Sequence, residues 1–383
     1  MKKVKRHILL NPGPATTTDS VKYAQVVPDI CPRENDFFHI MHFVSTELTS
    51  LVADKEQYAT VLFGGSGTAS VEAILSSVMT DGAIVIINNG AYGQRLCEIA
   101  HAYQLDWYEF KCPLNHPIQL DALKSFIQEL PKTVSYLAVV HNETTTGILN
   151  DIEAIGTFCK EKNIEMMVDA MSSFAAIPID MNKMNIAYLA ASSNKNLQGM
   201  AGISFVIAPK SKLEKKTTTK PTNYYLNLFS QYKYFIETGQ MRFTPPVQTI
   251  YALKQAIIEL KEEGVKERYE RYSQLWETLI KGLTKLGFKY IIPIENHSKI
   301  ITAILEPTCK TYDFTDMHDY FYKNNITIYP GKLKNMNSFR LANIGDLTKN
   351  DIELFLTIME KYLQYIGIDT KKENLTGILY ESK

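Results

Sequence analysis

The stretch VSYLAVVHNETTTGILNDIEAIGTFCKEKNIEMMVDAMSS, Val134 to Ser173, alternates two kinds of segment. An apolar run leads into a polar turn, a helix-like stretch follows, and a second apolar run, IEMMVD, closes the unit. Short apolar runs without polar alternation are what strands covered on both faces look like. Strand, helix and strand in succession imply a parallel pair joined by a crossover. TVLFGGSGTASVEAILSSVM, from Thr60, and AIVIINNGAYGQRLCEIAHAY, from Ala83, repeat the form, and IAYLAASSNK and MAGISFVIAP read as further strands. The expectation is an α/β fold: a large domain with a mostly parallel central sheet flanked by helices.

Beyond Pro246 the pattern changes. Val247 to Phe288 reads as one long amphipathic stretch ending near Gly287. KIITAILEP, ITIYPGK and SFRLANIG then read as strands and DMHDYFYKNN as a helix. A last helix is expected near Thr348, where Thr-x-x-Asp forms a capping box. This is a smaller α+β C-terminal domain. Residues 16–250 are expected to form the large domain, and 1–15 with 251–383 the small one. The last dozen residues read as a frayed tail.

With 45% hydrophobic and 21% charged residues, the composition is that of a soluble globular protein. Acids and bases number 41 each, so no global field recruits nucleic acid or an anionic membrane. The five cysteines form no C-x-x-C pair and have no histidine at zinc-like spacing, so reduced thiols and no metal are expected. The apolar run after the basic N-terminus is too short for a secretory signal. A cytoplasmic location is expected.

The polar motifs fall at the carboxyl ends of the strands, where open α/β sheets bind ligands. GGSGT, Gly64 to Thr68, joins a strand to a helix, and backbone N–H groups there suit a phosphate. It is neither a dinucleotide fingerprint nor a Walker loop. Asp169 ends one apolar strand, and Lys195 follows the next in SSNKNLQG. A lysine for a Schiff base, an acid for the pyridinium nitrogen and a helix N-terminus for the phosphate are what pyridoxal 5'-phosphate requires. Tyr92 in NGAYGQR could stack on the cofactor ring. Thr144 in HNETTTG could bond its 3-oxygen.

In order along the chain, LLNPGPATTT, GGSGTASVEA, NGAYGQR, HNETTTG, VDAMSSFAAIPID, SSNKNLQG, RFTPPVQT, YPGK and FRLANIGD resemble the 2-aminoethylphosphonate–pyruvate transaminase family, within the fold-type I, class V pyridoxal-phosphate aminotransferases. The resemblance implies transamination of 2-aminoethylphosphonate with pyruvate, giving phosphonoacetaldehyde and L-alanine. Lys195 would bond the cofactor and Asp169 would pair with its ring nitrogen. Tyr92 would stack on the ring, and Thr144 would bond the ring oxygen. Ser66, Gly67 and Thr68 would hold the phosphate. Thr244 would cross a homodimer interface to the neighbouring site, and Arg340 would grip the substrate's acidic group, with Lys332 adding charge nearby. DICPREND, Asp29 to Asp36, departs from the tryptophan and acidic run of some members, which bears on substrate choice. The nearest alternative is another class V aminotransferase of the alanine/serine–glyoxylate or –pyruvate type. A desulfurase would need a mobile cysteine, and the neighbourhood of Cys309 does not resemble that motif. A regulatory protein would carry an added DNA-binding module, for which there is no spare length.

Overall fold

The computed structural model describes residues 3–214, 222–331, 337–372 and 374–380 of the 383-residue chain. Seven apolar runs form its central sheet: β1 (Tyr58–Gly64), β2 (Ala83–Asn88), β3 (Trp107–Lys111), β4 (Val134–Val140), β5 (Glu165–Asp169), β6 (Ile186–Ser192) and β7 (Ile203–Pro209). Their spatial order is β1-β7-β6-β5-β4-β2-β3. Only β7 runs against its neighbours, and the other pairings are parallel. Parallel strands finish on the same edge, so the residues following β1, β2, β4, β5 and β6 are gathered there.

Both faces of the sheet are apolar because successive side chains alternate in direction. Val85 and Ile87 join Leu137, Val139, Val168 and Leu189 on one face. Ile84 and Ile86 join Tyr136, Ala138, Met167 and Ala190 on the other. The first face is covered by α1 (Asn35–Ser50), α4 (Ile152–Glu161) and α5 (Val247–Glu263). The second is covered by α2 (Gly67–Val78) and α3 (Ala91–Ala102). No helix among the described residues is long and apolar enough to cross a membrane.

The C-terminal unit has a three-stranded antiparallel sheet of β8 (Ile301–Leu305), β9 (Tyr329–Pro330) and β10 (Ser338–Ala342), ordered β8-β10-β9. Helices α6 (Val265–Lys285), α7 (Phe314–Lys323) and α8 (Lys349–Tyr365) enclose a core that includes Leu279, Leu283, Phe321, Phe339, Leu341 and Phe355. The expected capping box is present: the Thr348 hydroxyl accepts from Asp351 N–H, and the Asp351 carboxylate accepts from Thr348 N–H.

Two expectations change. The long pattern from Val247 is two helices, because Gly264 adopts φ +89° and its N–H turns back to Leu260 O. That conformation costs a glycine little and a β-carbon much. Ahead of Pro246 lies a further helix, Leu228–Thr238, whose first turn is capped by the Asn227 side chain. Within the tail, the described residues 374–380 are docked rather than frayed: a short helix, Leu375–Leu379, packs Leu375 and Leu379 into the small core. Leu379 O also accepts from Thr308 N–H at 2.8 Å.

A buried leucine at the centre of β6 and an exposed isoleucine on Leu228–Thr238 should respond differently to truncation. Leu189→Ala should cost about 2–5 kcal/mol of stability. Ile236, 62% exposed, should lose no more than about 0.5 kcal/mol on change to Ala. Urea unfolding of the apoprotein measures both, and equal losses would contradict this placement of the core.

Candidate active site

A cavity of about 770 Å³ opens at the carboxyl edge of the central sheet. Each wall comes from a strand end. Gly64 to Thr68 follow β1 and start α2, Tyr92 and Arg95 lie on α3 after β2, Asp169 ends β5, and Ser192, Asn194 and Lys195 end β6. Ala201 and Gly202 precede the antiparallel β7, whose start therefore lies on the same edge. Thr244, Pro245 and Pro246 complete the lining.

Asp169 is buried and accepts a hydrogen bond from Met171 N–H at 2.9 Å. Burial pushes its pKa up, while the Met171 amide and the charges of Lys195 and Arg95 pull it down. Lys195 keeps surface only in part, and that surface lines the cavity. Loss of hydration lowers its amine from 10.5 to about 8, against the pull of Asp169 and with the push of Arg340 and Arg95. Such an amine has a minor but ready neutral fraction near physiological pH, which a free lysine lacks. Its Nζ lies 5.6 Å from the centre of the Tyr92 ring.

At the head of α2 the Ser66 side chain makes no capping hydrogen bond. The first N–H groups of a helix have no partner within it, so those of Gly67 and Thr68 remain available to an anion in the cavity. An enclosed amine, a buried carboxylate coupled to it, an aromatic wall and an uncapped helix N-terminus fit pyridoxal phosphate. These residues would hold it at aldehyde, ring nitrogen, ring face and phosphate respectively.

Ser66, Gly67, Thr68, Tyr92, Asp169, Lys195 and Thr244 thus share one cavity. Thr244 is exposed, and it lines the cavity of its own chain. Thr144 is buried behind the wall, where its hydroxyl donates to Ser172 Oγ at 3.0 Å. Arg340 is fully buried in β10. Its Nε and Nη2 both donate to Pro330 O, at 3.2 and 3.0 Å, and its guanidinium carbon lies 5.3 Å from the centre of the Tyr329 ring. Burial lowers its pKa, and Tyr92 and Glu143 pull the other way. Nη1 has no hydrogen-bond partner among the described residues. Arg340 is not among the residues that line the cavity; it stands behind Tyr92, the side chain that acts most strongly on its charge. Lys332 lies outside the described residues. Arg33, in the divergent early segment, donates to Gln240 Oε1 at 2.9 Å and Met241 O at 2.7 Å. That segment is thereby tied to the run leading to Thr244.

Two residues escaped the sequence reading. Arg95 lies over the Tyr92 ring, 4.8 Å from its centre, and reaches Thr68 Oγ1 at 3.5 Å. Its spacing of three from Tyr92 on a helix was a usable signal. Glu143 is fully buried and its carboxylate accepts from the N–H groups of Tyr92, Gly93 and Thr145 and from the Thr145 hydroxyl. It holds the head of α3, and with it Tyr92. Gly90 permits this approach, because a β-carbon there would collide with the Glu143 carboxyl.

The aminotransferase class-V family model matches residues 21–346. The 2-aminoethylphosphonate–pyruvate transaminase of Vibrio vulnificus (strain CMCP6) is 35% identical over 368 residues, covering 94% of this chain and 98% of that protein. The bifunctional phosphonoacetaldehyde hydrolase/aminoethylphosphonate transaminase of Clostridioides difficile (strain 630) is 36% identical over 93% of this chain, which spans 56% of that longer protein. Among solved structures, the alanine–glyoxylate aminotransferase of Nostoc sp. superposes with a TM-score of 0.86 at 24% identity, covering 94% of this chain and 96% of that one. That likeness establishes the shared fold.

The electrostatics set a pH response. Capture of added pyridoxal phosphate by the apoprotein needs the neutral amine, so its rate should rise with pH through a midpoint near 8. Asp169 holds this midpoint up, so Asp169→Asn should lower it. Stopped-flow absorbance at a series of pH values reads both, and a wild-type midpoint near 10 or an upward move in the variant would refute the account.

Proposed function

Since this chain belongs to the class V aminotransferase family, we propose that it exchanges an amino group between 2-aminoethylphosphonate and pyruvate, giving phosphonoacetaldehyde and L-alanine. The protein is an enzyme and its cofactor is pyridoxal 5'-phosphate. Relatives named for this reaction match at about 36% identity over most of the chain. The observation that carries the substrate assignment is Arg340, a buried guanidinium with an unpartnered Nη1 near the catalytic lysine.

Bound pyridoxal phosphate supplies an electron sink for the carbon that carries the transferred nitrogen. Lys195 Nζ is the base that takes the proton from that carbon and the acid that gives it back. Its lowered pKa places both protonation states within reach near neutral pH, where general acid–base catalysis is most effective. Asp169 would face the ring nitrogen, where its negative charge would favour the protonated form. Tyr92 forms the wall against the ring, kept in place by Arg95 and by the grip of Glu143 on the α3 backbone. The Gly67 and Thr68 amides bind the phosphate, with Ser66 at the turn. Thr144 would serve the ring oxygen only by giving up its bond to Ser172 Oγ.

At the other end, the Nη1 side of Arg340 offers two N–H donors to a phosphonate or carboxylate. Both the amino donor and pyruvate are small anions, so one arginine serves both halves of the cycle. We further propose a homodimer in which exposed Thr244 completes the mouth of the neighbouring cavity. The division into a large domain, 16–250, and a small one of 1–15 with 251–383 belongs to the same reading.

A coupled assay of alanine formation from 2-aminoethylphosphonate and pyruvate tests the reaction. Turnover with serine or alanine and glyoxylate, but none with the aminophosphonate, would replace it with the alternative class V activity. Arg340→Lys should raise KM for the aminophosphonate about tenfold or more while leaving cofactor affinity near wild type. Unchanged kinetics would remove Arg340 from the substrate site.

A further inference from the structure

We propose that the Tyr272 hydroxyl is a positioning group that sets the separation between Lys195 and Arg340. The idea rests on the functional reading above and deepens it. Lys195 sits in a tight turn between β6 and β7, in which Gln198 N–H returns to Lys195 O at 2.9 Å. Gln198 closes that turn in the left-handed region, at φ +61°, and is buried. A non-glycine residue held there needs its surroundings to hold it. Its side-chain amide donates to the Tyr272 hydroxyl at 2.9 Å.

The same oxygen accepts from Gly345 N–H at 2.8 Å. Gly345 lies just past β10, the strand that carries Arg340. Asn343, between them, donates through its side-chain nitrogen to Tyr272 O at 2.8 Å and to Lys299 O at 3.0 Å. One helix, α6, therefore holds both partners of the substrate site. Arg268, one turn earlier on α6, strengthens the lysine side by donating to Asn196 O at 2.6 Å. Tyr272 has no exposed surface, so water cannot take over these bonds.

The consequence is geometric. The amine that moves the proton belongs to the large sheet, and the guanidinium that grips the anion belongs to the small one. A small substrate must reach both at once, so an error in their spacing is paid for in anion binding. Tyr272→Phe keeps the ring and deletes the shared oxygen, leaving the Gln198 amide and the Gly345 N–H without their partner. The turn and the small sheet are then free to relax apart.

The test compares the pyridoxal-phosphate-loaded wild type and Tyr272→Phe, using methylphosphonate as an unreactive anion. Its binding is followed through the pH-dependent absorption of the cofactor, which senses charge near Lys195. Tyr272→Phe should bind methylphosphonate about tenfold more weakly, the scale of one lost buried hydrogen bond. The anion should also move the absorption midpoint less in the variant than in wild type, with cofactor affinity retained. Gln198→Met, which removes only the amide contact, should show the same two changes and carries the test if Tyr272→Phe does not fold. A variant that melts lower yet matches wild type in anion affinity and midpoint shift would overturn the proposal. So would a wild type whose absorption does not respond to the anion. Failure of the wild type to form alanine from the aminophosphonate would count against the substrate reading alone, because these spectral measurements need only cofactor and anion.

Discussion

A lysine amine withdrawn from water beside a buried carboxylate is the constraint on which this structure turns. Either charge alone in such a place would be costly. Together, with Arg95 and Arg340 contributing further positive charge, they hold one another in a state poised near neutrality. The sheet makes this arrangement possible. Because β5 and β6 are adjacent and parallel, their ends bring Asp169 and Lys195 to the same edge although the chain between them makes a full excursion.

The second half of the site is assembled differently. Arg340 enters on a strand of the smaller sheet, with one edge of its guanidinium committed to Pro330 O and Nη1 left without a partner. A buried arginine with an unsatisfied donor is an expense a stable fold avoids unless a ligand relieves it. Helix α6 stands between the two halves and bonds to both. Its dual role explains why the break at Gly264 matters: α5 is left to cover the large sheet while α6 turns to serve the small one.

Tyr92 shows how much support one side chain can require. Its ring is flanked by the Arg95 guanidinium and the Lys195 amine, and its backbone N–H is held by Glu143 from a different strand end. The carboxylate at the head of α3 is stabilised there by the Tyr92 and Gly93 N–H groups it accepts from and by the helix dipole. Placement of an aromatic wall thus depends on a buried acid that never reaches the cavity.

The sequence by itself determined the elements and the chemistry at their ends. Runs such as AIVIIN are apolar on both faces of a strand, and that burial is a local property written in period and composition. Asp169 and Lys195 were legible for the same reason, as polar residues at the close of apolar strands, and so was the Thr348 cap, whose partners are three residues apart. Tertiary structure alone decided the rest. Glu143 was invisible because the α3 backbone it holds lies some fifty positions away, and the tail because Leu375 and Leu379 find their pocket only once the small core exists. Propensity and periodicity act between neighbours in the chain, whereas a hydrogen bond between distant segments is fixed only when the sheet order has brought them together.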